Sequence, residues 1–266
     1  MTAVTDIADK RMTAAGTHNL GRVVRMEWRK LWSVGSTWWI LLIFAAGLLS
    51  YAAVAGSGGP TQPDGLYEPT DNVMQGLAFG QLTLGVLGVL VLSGEFSSGS
   101  IRSTFAAVPR RGRVLAAKAV VVAAVALVSG EALAFAAALT FGLAAPAGVP
   151  HPPLGQSGAL RAVILSGAYP CLIALIALGL TAVIRRTAGA ISTIVGATFV
   201  LPLLLAPVGQ HATVLKFLPE DIMFNSFASI RPLHGGLSGW AGFGVLCLYA
   251  AVALTTGGWA LLCRDA

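Results

Sequence analysis

The side chains able to do chemistry in this sequence are few, and their spacing argues against catalysis. His151, His211 and His234 are far apart and lack the paired spacing of a metal site. Cys171, Cys247 and Cys263 have no CxxC spacing and fall in or beside apolar runs, so buried thiols are expected. No Ser/His, Asp/Asp or His/Glu arrangement suggests an enzyme. The nearest approach to a phosphate-binding loop, Gly112 to Lys118, lacks the second Gly and the Ser/Thr of GxxxxGK[ST]. What remains is a small set of charges placed in or next to apolar runs. Glu131 lies well inside one. Glu95 and Lys118 stand at the ends of two others.

Those runs dominate the chain. Of 266 residues, 56% are hydrophobic and only 11% charged, too few charges to cover a water-soluble fold. Crossing roughly 30 Å of hydrocarbon takes about 20 apolar residues in a helix. Six stretches are long enough: about Trp38–Ala55, Met74–Ser93, Leu115–Ala144, Ala162–Ile184, Ala188–Val208 and Trp240–Cys263. The expected fold class is an all-α membrane protein with residues 20–266 as one transmembrane domain. Residues 1–19 are expected to be a disordered cytoplasmic tail. The third stretch is overlong and must tilt or project. Pro170, Pro202 and Pro207 are expected to kink spans four and five.

Net charge is +6, but the cations cluster beside apolar runs rather than along a solvated stripe, which argues against nucleic acid. With the N-terminus inside, fourteen of the seventeen Lys and Arg fall in cytoplasmic segments. Only Arg161, Lys216 and Arg231 then lie outside. Both termini are therefore expected in the cytoplasm of a plasma-membrane protein.

Several segments outside the spans have a pattern of their own. Leu20, Val23, Val24, Leu31 and Trp32 recur near helical spacing, interleaved with Arg22, Arg25, Arg29 and Lys30. This predicts an amphipathic helix in the lipid interface, with Trp28, Trp32, Trp38 and Trp39 as an aromatic belt. The outer loop Gly56–Asn72 reads as a solvated turn, and the one near Pro146–Gln156 is Pro-rich. In the outer loop Gly209–Gly239, Pro219-Glu220-Asp221 resembles a helix start, with Ile222, Met223, Phe224 and Phe227 on one side. A helix at the interface and a capped surface loop both fit. Gly76 and Gly80 form a GxxxG suited to close helix contact, including a dimer seam.

The cytoplasmic segment from Gly94 to Arg113 is more organised than a turn requires. Ser97 or Ser98 can cap a short helix that Pro109 stops. Ile101, Phe105 and Val108 fall at i, i+4 and i+7, an apolar stripe that needs cover from a partner or the membrane. Arg102 points elsewhere. Arg110, Arg111 and Arg113 follow the stop, suited either to lipid phosphates or to docking. Glu95 can pair with Arg102 or Lys118, or cap the segment.

At these residues the chain resembles the permease subunits of ATP-binding-cassette exporters of the type-2 export family. The resemblance rests on Glu95, Gly99, Ser100, Ile101, Arg102, Pro109, Arg110, Arg111 and Lys118, together with the amphipathic helix, six spans and structured outer loop. It implies a coupling helix made by Glu95, Gly99, Ile101, Arg102, Phe105, Val108, Arg110 and Arg111, docking on a separate ATP-hydrolysing subunit. It also implies a second permease subunit, by homodimer or with a related chain. ATP and Mg would be bound by the partner, and this chain would hold no cofactor. Transport of an apolar or amphipathic substrate would follow by alternating access. Glu131 is then a candidate for the transport path or its gate, the other reading being a neutral or hydrogen-bonded structural carboxylate. An ion-coupled secondary transporter is the alternative function, because spans one to three and four to six have opposite topologies.

Overall fold

Long apolar segments in lipid must satisfy every backbone polar group internally, and a helix does so within one segment. In the computed structural model of the chain, residues 20–58, 69–108, 110–146, 157–205, 215–227 and 236–263 are described, and no strand occurs among them. The expected disordered tail, His151, His211, His234, Pro109 and Pro207 lie outside the described residues.

Helix α1, Leu20–Ser33, precedes the first span, α2, Gly35–Ser57. Span two covers Asn72–Ser98 and contains the end of α3 (Pro69–Met74), a 3-10 turn at Gln75–Leu77, and α4 (Ala78–Ser98). The short α5, Ile101–Ala107, leads to span three, α6, Arg111–Ala144. Span four is α7, Ser157–Ile184. Span five runs through α8 (Thr187–Val195), a π-turn at Gly196–Val200 and α9 (Leu201–Leu205). Helix α10, Pro219–Phe227, precedes span six, α11, Gly239–Cys263. Among the described residues six helices are thus long and apolar enough to cross a membrane, and the chain is a multi-pass membrane protein.

Span four is the most buried of the six, and small residues bring its neighbours against it. Gly88 of span two lies on the Ala174 carbonyl, and Gly130 of span three lies on the Gly167 carbonyl. Gly179 meets the Ala253 backbone and Gly257 of span six. Side chains at these crossings would prop the helices apart. The GxxxG pair is used within the chain: Gly76 faces Tyr51 and Leu48, and Gly80 faces Phe44. It is the seam of spans one and two, not a face left open for a second copy.

Pro170 lies inside α7, which runs on as helix to Ile184. In span five the π-turn ends two residues before Pro202, where the missing proline N–H breaks the regular ladder.

Helix α10 does more than rest at the interface. Ile222, Met223, Asn225 and Ser226 are buried, with Ile222 packed on Gly242 of span six. The Tyr169 hydroxyl of span four reaches the Pro219 carbonyl at 3.0 Å and Gln81 Oε1 of span two at 2.8 Å. Buried Asn225 and Ser226 therefore complement the expected apolar side. Both satisfy a donor within the helix, on the Asp221 and Ile222 carbonyls.

Candidate functional site

The charged end of the bundle is built on α1. Val23, Glu27 and Leu31 recur at i, i+4 and i+8 and are all buried, so one acid sits within an apolar stripe. This inner face packs on span three, with Val23 against Val114 and Ala117. The expectation of an apolar side immersed in lipid is thus corrected in part. Val23 and Leu31 are covered by protein, while Leu20, Met26 and Trp28 remain exposed beside Arg22, Arg25 and Arg29. Trp32 lies near Trp28 and Trp38, with ring centroids 5.7 and 4.8 Å away, and Trp38 and Trp39 are exposed.

Glu27 meets Lys118 of span three, Nζ to Oε2 at 2.7 Å. The same ammonium is hydrogen-bonded to Glu95 Oε1, and it lies 3.3 Å from the Val91 carbonyl. Lys30 then reaches Glu95 Oε1 at 2.6 Å. Side-chain exposures of 1% for Lys118, 3% for Glu27 and 4% for Glu95, against 41% for Lys30, place the first three inside the protein. Burial of so many charges is tolerable only because they neutralise one another. Of the partners considered for Glu95, Lys118 is the one used. Arg102 is exposed. Sequence reasoning missed Glu27 and Lys30 as members of this cluster. The available signal was the register of Glu27 with Val23 and Leu31.

Span two continues as helix to Ser98, beyond its apolar run. Gly99 ends it with φ +70°, a left-handed conformation in which its N–H reaches the Phe96 carbonyl. The Ser98 hydroxyl therefore bonds to the Gly94 carbonyl of span two instead of opening α5 as a helix cap.

The apolar stripe of α5 is covered by the chain itself. Ile101 joins the main core, and Val108 is buried with Val23, Val114 and Ala117. Phe105 is half-buried between them, with the Arg111 guanidinium 5.3 Å from its ring centre. The premise that an external partner must cover this stripe is thereby corrected. Arg102, Ser103, Ala106, Ala107 and Arg110 form the exposed remainder.

Two arginines close the same end of the bundle. Arg111 Nη1 donates to the Leu261 carbonyl at 2.8 Å, and Arg185 Nη2 to the Ala260 carbonyl at 3.1 Å. Both cations thus serve the C-terminus of span six, where the helix leaves carbonyls without internal donors. Arg185 also lies over the Phe96 ring and has φ +61°, unusual for a side-chain-bearing residue. Arg111 is therefore engaged inside the chain, whereas Arg110 is exposed.

Glu131 lies thirteen residues beyond Lys118 on the same helix, midway along span three, and is half-buried. Its carboxyl lies over Gly167 of span four, where a Cβ would come within 2.9 Å of Oε2. Elsewhere inside the bundle, Gln81 Nε2 and Ser166 Oγ are buried with no hydrogen-bond partner among the described residues. Burial, and then neighbouring Asp221, push the Glu220 carboxyl at the start of α10 above its ordinary range. No group of three or more His, Cys, Asp or Glu able to hold a metal occurs among the described residues.

No protein-family model matches the chain, and no curated protein is detectably similar to it.

Proposed function

We propose that the chain is the membrane-spanning subunit of a primary active exporter, driven by a separate ATP-hydrolysing subunit that docks on α5. The observation that carries this reading is the way α5 is mounted. Span two enters it through Gly99, and span three leaves it at Arg111. The buried Glu95–Lys118–Glu27 junction joins both spans to α1. Force applied to α5 would reach three elements together rather than flexing one loop. The docking face is its exposed side, with Arg102, Ser103, Ala106 and Arg110, while Ile101 and Val108 anchor it from beneath.

On this reading the basic end of the bundle is cytoplasmic, and both termini lie there. The site is the plasma membrane, a second permease subunit completes the path, and the ATPase holds ATP and Mg. An apolar or amphipathic cargo fits spans lined by Ala, Leu, Val and Gly.

The test places a photocrosslinking residue at Ala106 and co-expresses the chain with its candidate ATPase. Crosslinking to the nucleotide-binding subunit is expected, lost on combining it with Arg102→Glu while the membrane protein stays monodisperse. Absence of the crosslink from a co-purified complex would reject docking on this face. Half-buried Glu131 also gives the ion-coupled transporter a specific footing. Proton-driven flux in vesicles lacking any ATPase would establish that alternative.

A further inference from the structure

A cleft of about 300 Å³ opens between α1, the start of span one and the end of span two. Glu27, Lys30, Glu95 and Lys118 form its polar end. Each acid uses one oxygen in the ion pairs above. Glu27 Oε1 and Glu95 Oε2 are buried and have no hydrogen-bond partner among the described residues. Both acids are among the residues that line the cleft, and a donor reaching them there would satisfy two oxygens that otherwise lack one.

The other features restrict the chemistry of the occupant. Lys118 is enclosed and directed at Glu27, Glu95 and the Val91 carbonyl. Lys30 is partly exposed, and its ammonium has three N–H groups, one of which serves Glu95. It can therefore donate to an anionic oxygen at the cleft mouth, beside the exposed Ser98. Two acids and two lysines balance in charge, which favours a zwitterion over a net ion. The wall is apolar, formed by Leu31, Val34, Leu87 and Leu90. It stands where an amphipathic helix turns into the first span, the level at which head groups give way to acyl chains.

We propose that this cleft binds an ethanolamine phospholipid. The primary ammonium donates to Glu27 Oε1 and Glu95 Oε2, the phosphate accepts from Lys30, and an acyl chain follows the apolar wall. A choline head group offers no N–H donor and leaves both carboxylate oxygens unpaired. A glycerol head group brings hydroxyls but adds net negative charge. The proposal rests on the membrane assignment alone and is independent of any ATPase partner.

The test uses the full chain, delipidated in detergent and then supplied with dioleoyl phosphatidylethanolamine, phosphatidylcholine or phosphatidylglycerol, or with soluble phosphoethanolamine. Native mass spectrometry reads retention and thermal unfolding reads stabilisation. Retention of the ethanolamine lipid should exceed that of the choline lipid by about tenfold, the scale of a lost charge-assisted hydrogen bond. Glu27→Gln should remove that preference. Lys30→Gln, at a partly exposed position with little risk to folding, should weaken retention of the ethanolamine lipid. Equal retention of the ethanolamine and choline lipids would overturn the proposal, as would preference for the glycerol lipid. Retention of the ethanolamine lipid unchanged in Lys30→Gln would reject the phosphate contact. Equal stabilisation by soluble phosphoethanolamine would reject a lipid as the occupant.

Discussion

Lys118 Nζ of span three lies 2.7 Å from Glu27 Oε2 of the amphipathic helix, a partner 91 residues away in sequence. The same ammonium holds Glu95 at the end of span two, so one cation fastens three elements where α5 departs. Among the described residues neither acid has another cation as deeply placed, since Lys30 is partly exposed. Loss of the lysine would leave two carboxylates buried near each other.

Lys118→Met should therefore destabilise the protein by about 3–5 kcal/mol, the range for breaking a buried ion pair from one side. Glu27→Gln should cost less, because the amide still accepts from Lys118 and introduces no stranded charge. Thermal unfolding of the purified chain in detergent reads both. A Lys118→Met variant as stable as the parent would show that the junction does not hold the spans.

Span two can approach span four closely because Gly88 has no side chain. An added Cβ there would overlap the Ala174 carbonyl, a backbone group unable to rotate aside. Gly88→Leu should prevent a monodisperse protein from being recovered. Gly94→Ala is the control in the same helix, since nothing lies within 4 Å of its added Cβ. Size-exclusion profiles should separate the two sharply; similar profiles would contradict the packing described.

The six spans were legible because each is an apolar run long enough to cross a bilayer. The end of span two was not, since the helix persists through Glu95 and the serines until Gly99 offers a left-handed stop. Pairing of Glu95 with Lys118 was readable from their places at the ends of adjacent spans. Glu27 was hidden among cations, and only the three-dimensional partner reveals why an acid occupies an apolar stripe. The Ile101–Val108 stripe was equally readable, but its cover comes from Val23, far back in the chain. Periodicity shows that a face is apolar, not what lies against it.

Tyr169 couples helix α10 to the bundle through the Pro219 carbonyl and Gln81. Tyr169→Phe keeps the ring and removes the donor, at a cost of about 1–2 kcal/mol for a buried hydrogen bond. The effect should concentrate in α10, seen as faster amide exchange over Pro219–Phe227 with little change in spans two and four. Uniform exchange across all three elements would mean that the hydroxyl does not fix α10.

Glu131 separates a transport role from a structural one because the two predict opposite responses to the same substitutions. A carboxyl in mid-span lowers stability on its own account, by about 2.5–3.5 kcal/mol for a charged acid at the membrane centre. Glu131→Leu should then raise the unfolding temperature. If the carboxyl serves the path, that more stable protein should lose vesicle efflux of a fluorescent amphipathic dye, and Glu131→Gln should lose most of it with stability little changed. A purely structural carboxyl predicts the reverse: Glu131→Leu would destabilise, and Glu131→Gln, which keeps shape and hydrogen bonding, would transport normally. The carboxyl packs directly on Gly167, where an added Cβ would come within 2.9 Å of Oε2, so both substitutions act at a close contact between spans three and four.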